Sequence, residues 1–160
     1  MFSFLKKKED GFTLVSPIKG EVVELSKVSD PTFGECMLGK GVAIIPTEGK
    51  VYAPADGEIS IVFETRHAVS MVTTQGVEVL IHVGLDTVSL KGDGFEAHVQ
   101  SGDQVKKGDL LLTVDLDKVK KAGLDTISPV VICNTDEYED VHGITFTAVE
   151  SGEPLIKVIS

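Results

Sequence analysis

Short segments rich in valine, isoleucine and threonine recur along this chain, separated by glycines and prolines. Each segment has the length of a β-strand, and β-branched residues favour strands because they pack well on a pleated surface. The glycines and prolines between them supply turns. The sequence therefore predicts an all-β fold, an antiparallel sandwich or barrel with short helical turns. Eight segments carry this prediction: GEVVEL, GVAIIP, GKVYAP, GEISIVFE, AVSMVTT, VEVLIHVG, DLLLTVD and SPVVIC.

One segment has the features of a helix. DLDKVKKAG, from Asp115 to Gly123, begins with an aspartate that can cap a helix and carries lysines toward its end. Its last residue is a glycine, which favours the left-handed conformation at which many helices stop. We expect one short helix here.

An internal echo, meaning a sequence pattern that occurs twice in the chain, predicts a duplication within the fold. SPIKGEVVEL (16–25) and APADGEISIV (53–62) share the pattern P-x-x-G-E followed by a β-branched residue. A third segment, VQSGDQVKKGDLLLTVD (99–115), repeats a G-D pattern whose glycines make tight turns.

Length, composition and charge restrict the class of protein. With 160 residues, 42% of them hydrophobic and 25% charged, the chain is predicted to form one globular domain, residues 11–160, after a mobile tail, residues 1–10. A net charge of −10 argues against nucleic acid and suits basic protein partners. The longest apolar run is far shorter than the roughly 20 residues that span a bilayer, and the tail lacks the order of a secretory signal. We therefore expect a cytoplasmic protein with at most weak membrane contact through the lysines of the tail.

Residues 68–84 are typical of a β-hairpin, with a two-residue tip at Gln75 and Gly76. In that register His67 is the diagonal neighbour of His82 on the face away from the core, with Cα atoms roughly 7–8 Å apart. A loop one residue longer would shift the register and place the two histidines on opposite faces.

Two imidazoles on such a face admit three interpretations. They are surface residues without a role, or they bind a metal, or one of them carries a phosphoryl group. A metal needs a third ligand, which Glu64 or Glu78 would have to supply because no HxH, HExxH or Cys-His cluster occurs. A neutral imidazole nitrogen is a good nucleophile and leaving group if a carbonyl holds its other nitrogen as N–H and a neighbour donates to the phosphoryl oxygens. An exposed Leu80, with Phe63 nearby, would fit a protein-docking patch beside such a centre.

These residues also carry a resemblance to a known family. The chain resembles the glucose-type enzyme IIA of the bacterial phosphoenolpyruvate-dependent sugar phosphotransferase system, over segments that run in order from Phe12 and cover nearly the whole chain. The T-x-H and H-V-G-L-D-T-V strings are specific motifs. The matching segments are SPIKGEVVEL, DPTFGECMLGKGVAI, APADGEI, FETRHA, VEVLIHVGLDTVSLKGDGF, V-x-x-GD and SPVVICN.

The resemblance implies a phosphotransferase component with an internally duplicated β-sandwich. It implies that His82 accepts a phosphoryl group on Nε2 while the carbonyl of Gly84 fixes the proton on Nδ1. His67 would contact the phosphoryl group, and the Thr65 hydroxyl would orient His67. The donor would be the histidine-containing carrier protein HPr, and the acceptor the cysteine of an enzyme IIB domain of a sugar permease. No cofactor and no metal ion is implied.

The resemblance further implies a docking surface around this pair. It consists of an apolar collar and an acidic rim that meets basic residues of the partners. The collar would be Phe33, Met37, Phe63, Leu80 and Val88, and the rim Asp30 and Asp86. The sugar, the oligomeric state, regulatory partners and a zinc ion shared by the two histidines in a complex are left open.

Three other classes of protein share some of these features. A lipoyl or biotin carrier domain shares the glycine turns of VKKGDLL and GKVYAPADGEI but needs a lysine at a hairpin tip, in D-K-A or M-K-M, and neither string occurs. A zinc-binding β module such as a zinc peptidase needs an HxH pair, which is absent. A purely structural module is the third class. We predict that His98 and His142 are exposed and that Cys36 and Cys133 are small core residues.

Overall fold

The computed structural model describes residues 11–160; the predicted tail and its membrane contact lie outside the described residues. Residues 11–160 contain fourteen β-strands, and each of the eight predicted segments contains one. Within this part of the chain, no helix is long and apolar enough to span a membrane. The strands are β1 Phe12–Val15, β2 Gly20–Glu24, β3 Lys40–Pro46, β4 Lys50–Tyr52, β5 Gly57–Val62, β6 Ala68–Thr73, β7 Glu78–His82, β8 Phe95–Ala97, β9 Gln104–Val105, β10 Leu110–Val114, β11 Ser128–Ile132, β12 Asp140–Gly143, β13 Ala148–Val149 and β14 Pro154–Ile159.

The helical elements are short. Within residues 11–160 they are the α-helices α1, Pro31–Gly34, and α2, Leu116–Lys121, and three 3₁₀ turns, Leu25–Lys27, Thr87–Leu90 and Thr135–Glu137. Helix α2 confirms the predicted helix: the side chain of Asp115 accepts a hydrogen bond from the backbone N–H of Lys118. Gly123 follows the helix with φ at 78°, where a glycine has no steric penalty.

In the part of the chain that the structure describes, the strands form an antiparallel sandwich, and no sheet closes into a barrel. The large sheet has eight strands in the order β13-β2-β3-β11-β7-β6-β5-β9, and two three-stranded sheets have the orders β1-β14-β12 and β4-β10-β8. The main hydrophobic core lies between the large sheet and the small ones, and contains residues such as Leu14, Ile44, Ile81 and Leu112 that are fully buried. Strands β2 and β5 alternate buried and exposed residues over their first residues, as in a sheet covered on one face, whereas the central strand β11 is buried along its whole length.

A second, smaller hydrophobic cluster covers the outer face of the large sheet. Residues that alternate with the core-facing ones, including Ala43, Leu80 and Val131, pack there against the segment that carries the first 3₁₀ turn and α1. From this segment come Leu25, Val28 and Phe33, and Leu85 and Ile127 complete the cluster. His82 lies beside this cluster, with its ring against Phe33.

The predicted duplication is visible in the strand order. From each edge of the large sheet to its centre, β13-β2-β3-β11 and β9-β5-β6-β7 follow the same arrangement, and the small sheets repeat β1-β14-β12 as β4-β10-β8. Turn hydrogen bonds repeat as well: Gly152 N–H donates to Ser16 O at 2.9 Å, and Gly108 N–H donates to Ala53 O at 2.9 Å. Ser16 and Ala53 begin the two echoing segments. The echo in the sequence therefore marks two halves related by an approximate two-fold axis.

The predicted hairpin register is wrong by one residue. Thr73 N–H donates to Val77 O at 2.9 Å, so the β6–β7 loop has three residues instead of two, and Ala68 lies opposite His82. Gly76 ends the loop with φ at 88°, a conformation common in three-residue hairpin loops. The histidines nevertheless meet, contrary to the separation expected for a longer loop. His67 precedes β6 in a bend, which frees it from the alternation of the strand.

Candidate active site

His82 is the last residue of β7, and its ring is fixed by the backbone that follows. Its Nδ1 lies 2.8 Å from the carbonyl oxygen of Gly84. Because a carbonyl only accepts hydrogen bonds, Nδ1 is the protonated nitrogen of the neutral ring. Nε2 therefore carries the free lone pair. This contact is the one that the family resemblance implies.

The Gly84 position admits only glycine. Its φ is 76°, in the region that side chains disfavour. A Cβ there would lie 2.6 Å from Cγ2 of Thr87 and 2.9 Å from the carbonyl oxygen of Asp125. The close packing of this turn is what brings a backbone carbonyl under the His82 ring.

His67 is positioned by the bend before β6. Arg66 adopts a left-handed conformation with φ at 58°, and the backbone carbonyl of His67 accepts a hydrogen bond from Val83 N–H at 2.8 Å. The Thr65 hydroxyl oxygen lies 2.6 Å from Nδ1 of His67. The hydroxyl and the backbone bond together fix the direction of the ring, and His67 as a residue is 5% exposed.

The two histidine rings form the centre of an aromatic group. Their centroids are 4.9 Å apart with an interplanar angle of 81°, an edge-to-face arrangement. Phe33 lies against His82 at a centroid distance of 5.0 Å, and Phe63 meets His67 edge-on at 5.5 Å. The phenylalanines cover the outer sides of both imidazoles and reduce the access of water to them.

Burial favours the neutral form of both imidazoles at pH 7. Desolvation, aided by the proximity of His82, lowers the pKa of His67 to about 4. Desolvation also lowers the pKa of His82, although the Gly84 carbonyl and the carboxylates of Asp30 and Asp86 oppose this shift. The site thus combines two uncharged rings with negative charge at its edge.

The predicted collar residues divide into two groups by exposure. Met37, Val88 and Phe63 are 69%, 55% and 37% exposed, as a docking surface requires. Leu80 and Phe33 are only 8% and 5% exposed, so the expectation of an exposed Leu80 is wrong. Both belong to the second cluster, where Leu80 is covered by residues distant in sequence. They support the site from below and contribute little accessible surface.

The two aspartates of the rim have different local roles. Asp30 caps α1, its carboxylate accepting from Thr32 N–H at 3.0 Å. Asp86 is exposed and has a left-handed backbone, with φ at 58°. Both lie close enough to His82 to influence its pKa.

Other polar residues take no part in this group. His98 and His142 are exposed, as predicted. Cys36 and Cys133 are exposed as well, which contradicts the prediction that they are core residues. Cys133 follows the last residue of β11, where the strand leaves the buried centre of the sheet. No group of three or more histidine, cysteine, aspartate or glutamate side chains suited to a metal ion occurs in residues 11–160.

Two buried hydroxyls at the site were not selected from the sequence. Thr87 and Ser128 are 0% exposed and both bond to the backbone around Gly84. Thr87 belongs to the H-V-G-L-D-T-V string, so its position in that motif was the available signal. Ser128 is distant in sequence, and its signal was its place at the start of the matching segment SPVVICN.

The fold and the histidine pair define the class of protein first. A solved structure, glucose permease IIA from Mycoplasma capricolum, superposes with a TM-score of 0.83 and 37% sequence identity, covering 92% of this chain and 96% of that one. The fold is therefore that of a permease IIA component, an antiparallel β-sandwich with few helices.

Sequence comparisons identify the family. The model for the phosphoenolpyruvate-dependent sugar phosphotransferase system, EIIA 1, matches residues 12–138. A glucose-specific EIIA component from Oceanobacillus iheyensis is 42% identical over 161 residues, covering 100% of this chain and 98% of that protein. A glucosamine-specific EIICBA component from Bacillus subtilis is 53% identical over 136 residues, which are 85% of this chain and 22% of that longer protein. The chain belongs to the EIIA 1 family of the phosphotransferase system.

Proposed function

We propose that this chain is a phosphocarrier in which His82 accepts a phosphoryl group on Nε2 from phospho-HPr. It then passes the group to the cysteine of an enzyme IIB domain of a sugar permease. The observation that carries the proposal is the 2.8 Å contact between His82 Nδ1 and Gly84 O, which leaves Nε2 unprotonated. The pKa of His82 is lowered by desolvation, so the ring is a neutral nucleophile at pH 7.

The transfer needs no external base. The Nε2 lone pair attacks phosphorus as the bond between phosphorus and the donor nitrogen breaks. The phosphorylated ring keeps its Nδ1 proton and therefore carries positive charge, which the Gly84 carbonyl and the carboxylates of Asp30 and Asp86 stabilise. In the second step a cysteine thiolate attacks phosphorus and His82 leaves as a neutral imidazole. Neither ATP nor Mg²⁺ is required, because the phosphoryl group arrives activated on nitrogen.

His67 has the geometry of a supporting donor. If the Thr65 hydroxyl donates to Nδ1 of His67 across their 2.6 Å contact, the proton of the neutral ring is on Nε2. That N–H can donate to an oxygen of a phosphoryl group on His82, whose ring centroid is 4.9 Å away. In the unphosphorylated protein, a low pKa of about 4 keeps His67 neutral near pH 7.

The docking surface suits transient protein partners. Met37, Val88 and Phe63 offer apolar contact area around the histidines, and Asp30 and Asp86 offer negative charge to basic partners. Covering this surface would exclude water from the phosphoryl group during transfer. The enzyme IIB acceptor is supported by relatives whose names join components B, C and A in one chain, among them the glucosamine-specific EIICBA component.

The proposal is tested by labelling the protein with phosphoenolpyruvate in the presence of enzyme I and HPr. The wild type is expected to gain an acid-labile, base-stable phosphate, and His82→Ala is expected to gain none. His98→Ala, which removes an exposed histidine elsewhere, is the matched control and should label as the wild type does. Labelling that survives in His82→Ala would disprove the assignment.

A further inference from the structure

The peptide group between Val83 and Gly84 is held at both of its polar ends by side-chain hydroxyls. The Thr87 hydroxyl donates to the carbonyl oxygen of Val83 at 2.6 Å. The N–H of Gly84 donates to the hydroxyl oxygen of Ser128 at 3.3 Å. Both hydroxyl residues are 0% exposed, so water does not replace these bonds in the folded protein.

The next peptide group, between Gly84 and Leu85, is held in the same way. Its N–H donates to the carbonyl oxygen of Asp125 at 3.0 Å, and its carbonyl oxygen accepts from His82 Nδ1 at 2.8 Å. Two successive peptide planes are therefore fixed, and the Gly84 carbonyl cannot turn away from the ring without breaking buried hydrogen bonds.

The orientation of the Ser128 hydroxyl is itself determined. Ser128 Oγ donates its proton to the carbonyl oxygen of Thr126 at 2.8 Å, which leaves its lone pairs for the Gly84 N–H. Thr87 contributes a methyl group as well, since its Cγ2 occupies the space beside the Gly84 Cα. The hydrogen-bond directions are therefore fixed. The Thr87 hydroxyl donates to Val83 O, and the Ser128 hydroxyl donates to Thr126 O and accepts from Gly84 N–H.

We propose that Thr87 and Ser128 are positioning residues that set the tautomer of His82. By fixing the Gly84 carbonyl under Nδ1, they keep the proton on that nitrogen and leave Nε2 free. A loosened carbonyl would let the ring also adopt the form with its proton on Nε2, which cannot attack phosphorus. The catalytic meaning of this inference rests on the proposed function, but the tautomer itself is a property of the isolated protein.

The experiment compares imidazole nitrogen chemical shifts by NMR in the wild type, Thr87→Val and Ser128→Ala. Thr87→Val preserves the shape of the side chain and removes the hydroxyl, and Thr87→Ser retains the hydroxyl. The matched control is Thr73→Val, which removes a buried hydroxyl at the other end of the β6–β7 hairpin, where Thr73 accepts from Val77 N–H at 3.1 Å. Backbone amide spectra establish that each variant is folded.

We expect the wild type, Thr87→Ser and Thr73→Val to show His82 protonated on Nδ1 alone. Thr87→Val and Ser128→Ala should show a mixture of tautomers, and their rate of phosphoryl acceptance should fall about tenfold, the effect of losing one buried hydrogen bond. A pure Nδ1–H tautomer in the folded hydroxyl-free variants would overturn the inference. If Thr87→Val does not fold, Ser128→Ala decides, since it removes a single buried oxygen atom. Absence of labelling in the wild type would refute the phosphocarrier function while leaving the tautomer result standing.

Discussion

The rings of His67 and His82 meet edge to face with centroids 4.9 Å apart, although strand pairing places Ala68, not His67, opposite His82. The contact depends on the bend at Arg66, which brings His67 alongside the end of β7. Because the two rings share a poorly solvated space, a positive charge on one disfavours a positive charge on the other. Protonation of this pair therefore affects both folding and chemistry.

Stability is expected to decrease as the pH falls from about 6.5 toward about 4. The pKa of His67 is lowered from 6.5 to about 4 in the folded protein, so the unfolded chain takes up a proton first in this window. The stabilisation present above pH 6.5 is lost as the pH falls, by on the order of 2 kcal/mol. Urea unfolding at pH 7.5, 6 and 5 measures the effect. His67→Gln should reduce this pH dependence. If the free energy of unfolding falls equally with pH in the wild type and in His67→Gln, the prediction is wrong.

His67→Gln is expected to separate acceptance of the phosphoryl group from its onward transfer. Glutamine cannot reproduce the imidazole N–H directed by Thr65, whereas the His82 nucleophile and its Gly84 contact remain. Labelling from phospho-HPr should persist, and transfer to an enzyme IIB domain should slow by about 100-fold, in the range for loss of a transition-state donor. Rapid-quench kinetics with each partner measures both steps. Transfer to enzyme IIB at the wild-type rate would exclude the supporting role.

Gly84→Ala is expected to damage both stability and labelling. An alanine there has a strained φ and a Cβ that meets Thr87 and the carbonyl of Asp125, so we expect a loss of about 2–4 kcal/mol. Gly76→Ala is the matched control: its φ is also positive, at 88°, but nothing lies within 4 Å of the added Cβ. That variant should lose about 1 kcal/mol and label normally. Equal losses of stability in denaturant titrations would show that steric contact at Gly84 is unimportant.

Exposed and buried collar residues should respond differently to substitution. Val88→Asp, at a 55% exposed position, is expected to weaken HPr binding at least tenfold without changing stability. Ile144→Asp, at a 44% exposed position outside the docking surface, should change neither. Calorimetric titration with HPr and thermal unfolding measure the two properties. If Val88→Asp binds HPr as the wild type does, Val88 is not part of the docking surface.

Leu80→Ala should act through stability instead. Leu80 is 8% exposed within the second cluster, and its truncation leaves a cavity that costs about 2–4 kcal/mol. The affinity of the remaining folded protein for HPr should change less than threefold. A large loss of affinity for HPr in a fully stable Leu80→Ala variant would show that Leu80 contacts the partner directly.

The sequence predicts local structure here better than long-range contacts. The eight predicted strands form because β-branched runs and glycine turns act over a few residues, and the helix after Asp115 carries its own caps. The hairpin register depended on whether Thr74 belongs to the strand or to the loop, which composition does not decide. The burial of Leu80 depends on a segment some fifty residues earlier that folds over the sheet. Likewise, Ser128 reaches the Gly84 turn only through the pairing of β11 with β7.

The approximate two-fold axis gives each position of the histidine site an equivalent position in the other half of the fold. When the two halves are aligned by their strand pairing, Gly41 corresponds to Ala68 and Val131 corresponds to His82. Val131 is fully buried. The two halves thus have the same strand pairing at these places, and only one of them has a histidine there. Strand pairing alone therefore does not create the histidine pair, because the equivalent half repeats the pairing with a buried valine in place of His82.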